Sequence, residues 1–138
     1  MRLADQPIAA PRHQRMLQGR RVLVVEDSAI ICMLVEDGLI NAGAEIVGPA
    51  RSVDEALGLI EVAAADGGLS TAVLNIGLDG EMVLPVADRL AALGVPFVFA
   101  TGYPAWSNRG LHTTVPTLEK PFDGDTLADV VRNLTAGR

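Results

Sequence analysis

Apolar residues along this chain fall into two spacings in turn, compact runs of four or five and longer stretches repeating every three to four positions. That alternation reads as strand followed by helix, repeated. Arg21–Val25 (RVLVV) is an unbroken β-branched run, the pattern of a strand covered on both faces. From about Ser28 the period changes. Ile31, Leu34, Val35 and Leu39 share one helical side, Glu36 and Asp37 lie on another, and Asn41 and Gly43 end the helix. Ala44–Val47 reads as a second strand closed by Gly48-Pro49. Ser52 and Glu55 have capping-box spacing ahead of Val53, Leu57, Ile60 and Ala64, and Asp66-Gly67-Gly68 breaks that helix. Thr71–Leu74 is the third strand, and a loop through Gly77 and Gly80 leads to a third helix. Its buried stripe is Val83, Val86, Ala87 and Leu90, with Pro85 in the first turn, where proline is tolerated. Pro96–Ala100 and Pro116–Glu119 read as strands four and five. Between 103 and 115, Pro104, Gly110 and many polar residues argue against a long helix. Leu127, Val130, Val131 and Leu134, at i, i+3, i+4 and i+7, form a last amphipathic helix.

Repeated β-α units predict an α/β fold, and right-handed crossovers leave few strand orders. The flavodoxin-like five-stranded parallel sheet, in the order 2-1-3-4-5, is favoured. In such sheets the ligand site lies beyond the carboxyl ends of the strands, near the switch between strands one and three. The chain is 138 residues, a length for one domain. Residues 1–19 read as a flexible extension and 20–138 as the folded domain, with no internal repeat.

Composition narrows the function classes. The chain is 49% hydrophobic but only 4% aromatic, so its core must be aliphatic. Asp+Glu outnumber Lys+Arg, 17 to 11, which argues against nucleic-acid binding through clustered basic charge. Cys32 is the single cysteine, so no intrachain disulfide can form, and it reads as a small buried apolar residue. No run is long enough to span a bilayer and the N-terminus has no signal-like apolar stretch. A soluble, cytoplasmic protein is expected. His13 and His112 have no companions that suggest a metal or phosphotransfer site and read as solvated side chains.

The predicted strand ends carry the chemistry. Glu26-Asp27 follows strand one, Asn75-Ile76-Gly77 strand three, Thr101-Gly102 strand four, and Lys120-Pro121-Phe122 strand five. Acidic residues there also suit the start of a helix, where the dipole welcomes negative charge. The set as a whole, VLVVEDS, TAVLNIGLDGE, FATGY and EKPF in that order, resembles the receiver domains of bacterial response regulators over residues 20–136. The stretch Phe99 to Tyr103 further resembles the FAT GUY subgroup, small regulators that often lack an effector domain.

The resemblance implies a CheY-like (βα)5 sandwich and a set of roles. Glu26 and Asp27 would hold Mg²⁺, an ion that prefers oxygen ligands and keeps several waters, and Gly77 would add its backbone carbonyl. Thr101 and Lys120 would bind phosphoryl oxygens, by hydroxyl and by ammonium. The Lys120–Pro121 bond is expected to be cis. Asn75 departs from the family pattern. That position is the aspartate that attacks the phosphoryl group of a phosphohistidine, and a carboxamide is too poor a nucleophile to form an acyl phosphate. It also removes one clustered negative charge, which weakens Mg²⁺ binding while leaving an amide oxygen as a ligand. Two explanations compete. Asn75 is an introduced block that freezes the unphosphorylated state, favoured by the retention of Glu26, Asp27, Thr101 and Lys120. Or it is native, making a pseudo-receiver switched by something other than phosphate.

A second departure is Thr117, three positions before the lysine, where receivers usually place an aromatic switch residue. Tyr103 and Trp106 are then the candidates for a partner face. The implied upstream partner is a sensor histidine kinase or a histidine phosphotransfer protein, with output by contact with a protein target; a homodimer is compatible with this, and neither nucleic acid nor membrane is expected. Enzymatic alternatives on the same architecture fit poorly. No G-x-G-x-x-G follows strand one, the acidic pair would repel a pyrophosphate, and Glu26-Asp27 is not the Asp-x-Asp of aspartyl phosphatases. A non-enzymatic signalling role is expected.

Overall fold

In the computed structural model, which describes residues 15–102 and 109–135, five strands run parallel in one sheet. They are β1 (Arg21–Val25), β2 (Glu45–Ala50), β3 (Thr71–Asn75), β4 (Phe97–Thr101) and β5 (Thr117–Glu119). Their order is β2-β1-β3-β4-β5, as expected. The four helices among the described residues are α1 (Ala29–Asn41), α2 (Val53–Ala64), α3 (Leu84–Ala92) and α4 (Gly124–Thr135). The continuous apolar runs are explained by two cores. Alternate residues of a strand point to opposite faces, so Val22 and Val24 of β1 join Val35, Leu39, Leu127 and Val131 under α1 and α4. Leu23 and Val25 join Ala56, Ile60, Val86 and Leu90 under α2 and α3.

Several boundaries differ from the sequence reading. Strand β2 does not stop at Gly48-Pro49 but runs through that cis bond to Ala50. It is an edge strand, where a proline's missing N–H costs no ladder bond, and the Ala50 carbonyl accepts the Glu26 N–H at 2.9 Å. The buried stripe of α2 is Val53, Ala56, Ile60 and Ala63, while Leu57 is partly covered and Ala64 exposed. Both stripes satisfy a helical period, and the small Ala56 and Ala63 let the helix lie close to the sheet. The loop after β3 is a two-residue hairpin, Gly77–Leu78 against Glu81–Met82. Its corner is Asp79-Gly80, both at positive φ (46° and 90°), the conformation that an Asp-Gly pair favours.

The packed domain also begins before residue 20. Leu17 is fully buried in the α1/α4 core and its N–H donates to Ala42 O at 2.8 Å. Met16 and Leu17 are two apolar residues in a polar stretch, too few to give a periodicity by which to find them. Of the segment between β4 and β5, residues 109–116 are made of turns, and 103–108, where a long helix is also not expected, lie outside the described residues.

His112 is not a solvated side chain. Its Nε2 lies 2.7 Å from Asp88 Oδ1 on α3, and its ring meets Phe97 edge-on with centroids 5.3 Å apart. The ring pins the chain before β5 to the sheet. His112→Ala is expected to lower stability by about 1–2 kcal/mol, read from the urea midpoint, and an unchanged midpoint would show that the ring bears no packing load.

Candidate functional site

Parallel register brings the carboxyl ends of the strands to one rim: Val25 pairs with Leu74, Asn75 with Ala100, and Thr101 with Glu119. The residues just beyond β1 and β5 therefore face the end of β3. Glu26 is only 3% exposed. Its Oε1 receives Lys120 Nζ at 2.8 Å, and its Oε2 receives Asn75 Nδ2 at 3.0 Å and the Ser28 N–H at 3.1 Å. Asp27 is partly exposed. Its Oδ1 receives Asn75 Nδ2 at 3.1 Å and its Oδ2 the Asp79 N–H at 2.9 Å. The Asn75 carboxamide thus bridges both carboxylates. Ionised carboxylates can only accept hydrogen bonds, so the amide turns its nitrogen and not its oxygen towards them.

Electrostatics follow from this packing. Burial pushes the Asp27 carboxyl up. Hydrogen bonds with its own backbone, with that of Asp79 and with Asn75 are among the causes that outweigh it and hold the group below the ordinary carboxylate range. Burial, then the nearby Glu26 and Glu36 charges, push the Cys32 thiol up, in keeping with an inert core residue.

Four predicted residues, Glu26, Asp27, Asn75 and Lys120, are in direct contact. Thr101 ends β4, buried, and its carbonyl accepts the Lys120 N–H at 2.8 Å. Gly77 lies two residues beyond Asn75 on the hairpin, exposed. The Lys120–Pro121 bond is cis. Thr117 occupies the expected place on β5, partly buried, with Arg109 Nη1 approaching its hydroxyl at 3.5 Å. Tyr103 and Trp106 lie outside the described residues. Sequence reasoning missed two contributors. One is the Asp79 amide, which the Asp-Gly turn signal could have placed. The other is Arg51, whose Nη2 donates to the Asp27 carbonyl at 2.7 Å and which left no local signal.

Mg²⁺ is the ion that the resemblance implies for this rim. The donor chemistry of two carboxylates, an amide oxygen and a carbonyl would suit a hard cation. As arranged, however, the inner oxygens of both carboxylates face an N–H donor, and among the described residues no three His, Cys, Asp or Glu gather as a metal cluster. The residues present do not form a magnesium cradle in this arrangement.

By sequence, the chain matches no protein-family model and no curated protein. Solved structures do match. SdrG from Sphingomonas melonis Fr1 is 39% identical, with a TM-score of 0.72, over 83% of this chain and 95% of that one. A response regulator receiver protein from Sinorhizobium medicae WSM419 is 25% identical, with a TM-score of 0.69, over 88% of this chain and 98% of the other. The chain belongs to the response-regulator receiver domains. The receiver is also similar to the response regulator PhyR from Brucella abortus, 26% identical with a TM-score of 0.72, and spans 49% of that longer protein. Among the described residues no helix is long and apolar enough to cross a membrane.

Proposed function

We propose that this receiver is a stand-alone module of a two-component phosphorelay, held in its unphosphorylated state by Asn75. With aspartate at this position it would take a phosphoryl group from a sensor histidine kinase or a histidine phosphotransfer protein, with the Thr101 hydroxyl and the Lys120 ammonium on the phosphoryl oxygens. In that aspartate form Mg²⁺ would be held by Glu26, Asp27 and the Gly77 carbonyl, whereas Asn75 supplies no charge for it. The receiver acts through contact with a protein target rather than as an enzyme, in the cytoplasm, without nucleic acid or membrane. Its FATGY stretch fits the FAT GUY type.

The observation that carries this reading is the pairing of Lys120 and Asn75 on the same buried Glu26. The phosphate-handling lysine is kept and poised, and only the nucleophile is replaced by a group that cannot form an acyl phosphate. The amide's good fit favours a second reading, a native pseudo-receiver that binds its partner without phosphate. Intact mass after incubation with Mg²⁺ and acetyl phosphate tests both. Asn75→Asp is expected to gain one phosphoryl group and the unchanged chain none. A phosphoryl group on the unchanged chain would overturn the block, and none on either would leave only the phosphate-independent module.

A further inference from the structure

We infer that the Asn75 carboxamide stands in for the divalent cation, so that this receiver's acidic site is complete without metal. The inference rests on the receiver reading but not on any phosphate chemistry.

Two adjacent carboxylates, one of them almost wholly buried, repel each other and need compensation. Here each of their four oxygens already has a donor. Glu26 Oε1 has Lys120 Nζ and Glu26 Oε2 has Asn75 Nδ2 and the Ser28 N–H. Asp27 Oδ1 has Asn75 Nδ2 and Asp27 Oδ2 has the Asp79 N–H. The amide nitrogen carries two N–H groups, and each goes to a different carboxylate. It sits 3.0 and 3.1 Å from the two inner oxygens, between them, where a shared cation would have to lie.

Admitting Mg²⁺ would demand oxygen ligands at about 2.1 Å, so both carboxylates would have to close in. The amide would have to turn its oxygen inwards and give up two charge-assisted hydrogen bonds, the stronger class of such bonds. The ion would also have to shed part of a hydration shell that it loses reluctantly. Those losses fall together on the one arrangement that binds metal. An aspartate at position 75 removes the hydrogen-bond cost and favours the ion, because an ionised carboxylate has no N–H to give and would add a third negative charge. The residue at 75 thus decides whether the site needs a cation or excludes one. The hairpin shares the consequence: Asp79 is tied to Asp27 by its own backbone N–H, so the β3–α3 connection is anchored without metal.

The test is the thermal midpoint in EDTA and in millimolar MgCl₂ at matched ionic strength, for the unchanged chain, Asn75→Asp and Asn75→Ala. The unchanged chain is expected to melt at the same temperature in both. Both variants should melt lower than it does in EDTA and rise by several degrees with Mg²⁺, since a ligand that binds only the folded state stabilises it. If Asn75→Asp does not fold in EDTA, Asn75→Ala, which deletes the N–H donors without adding charge, carries the comparison. A Mg²⁺-dependent rise in the unchanged chain as large as in the variants overturns the inference, as would variants that ignore Mg²⁺. The phosphorylation assay is independent. Its failure would remove the phosphorelay reading and leave the Mg²⁺ comparison intact.

Discussion

Gly38→Val is expected to destabilise the fold by about 3 kcal/mol, seen as a lower urea midpoint at unchanged slope. Gly38 sits buried inside α1, where glycine is disfavoured by about 1 kcal/mol relative to alanine. It is there because α4 crosses at backbone contact. A Cβ at Gly38 would lie 2.7 Å from Gly124 Cα and 3.0 Å from Gly124 O, and one at Gly124 would lie 2.9 Å from Gly38 Cα. Backbone cannot rotate aside as a side chain can, so the helices would have to separate and open the core of Leu39, Leu127 and Val131 behind them. Alanine at position 38 would regain helix propensity and lose more to the clash. Valine adds two further methyl groups and a restricted rotamer. Gly58 on α2 is the control: nothing lies within 4 Å of a Cβ there, and Gly58→Ala should stabilise by about 0.5–1 kcal/mol. If Gly38→Val kept its midpoint while Gly58→Ala gained, the close crossing would be disproved.

The same contrast shows where sequence reading works. The five strands, their order and the stripe of α3 could be read because burial on a sheet or helix imposes a period, and a period is a local property. On α4 the buried stripe is Leu127, Ala128, Val131 and Thr135, with the expected Val130 and Leu134 only partly covered. Gly38 could not be read, since its meaning depends on Gly124 in another helix. Leu17 and His112 failed for the same reason: each is fixed by a partner far along the chain, Ala42 or Asp88. Strand β2 outran its Gly-Pro because edge position, which makes proline harmless, is a property of the sheet.

The site divides along the same line. Glu26, Asp27, Asn75 and Lys120 could be expected to meet because a parallel sheet gathers its carboxyl ends. Which atom of Asn75 faces the acidic pair could not, since that is decided by acceptors 48 and 49 residues away. The expectation that Asn75 would offer an amide oxygen to a metal pictured the residue as a lesser aspartate. In place it is a donor, and that difference changes the chemistry of the rim.

Lys120→Met should show how much that rim depends on its one ammonium. The lysine and Glu26 are 94 residues apart in sequence and 2.8 Å apart in space, and both are largely shielded from water. Without Lys120, the buried Glu26 carboxylate keeps only neutral donors, Asn75 Nδ2 and the Ser28 N–H, with Asp27 still charged beside it. Removing one partner of a buried pair costs about 3–5 kcal/mol, and the partial exposure of Lys120 places this case near 3. Glu26→Gln should cost less, about 1 kcal/mol, because it removes the repulsion with Asp27 and leaves an ammonium that can reach water. The double variant should then lose clearly less than the sum of the two, with a coupling of about 2 kcal/mol in EDTA. If the two losses add to within about 0.5 kcal/mol, the pair is not an energetic unit. Glu26 would then be held by the amide and backbone donors alone, and Lys120 would be free to serve a phosphoryl group without first releasing the carboxylate.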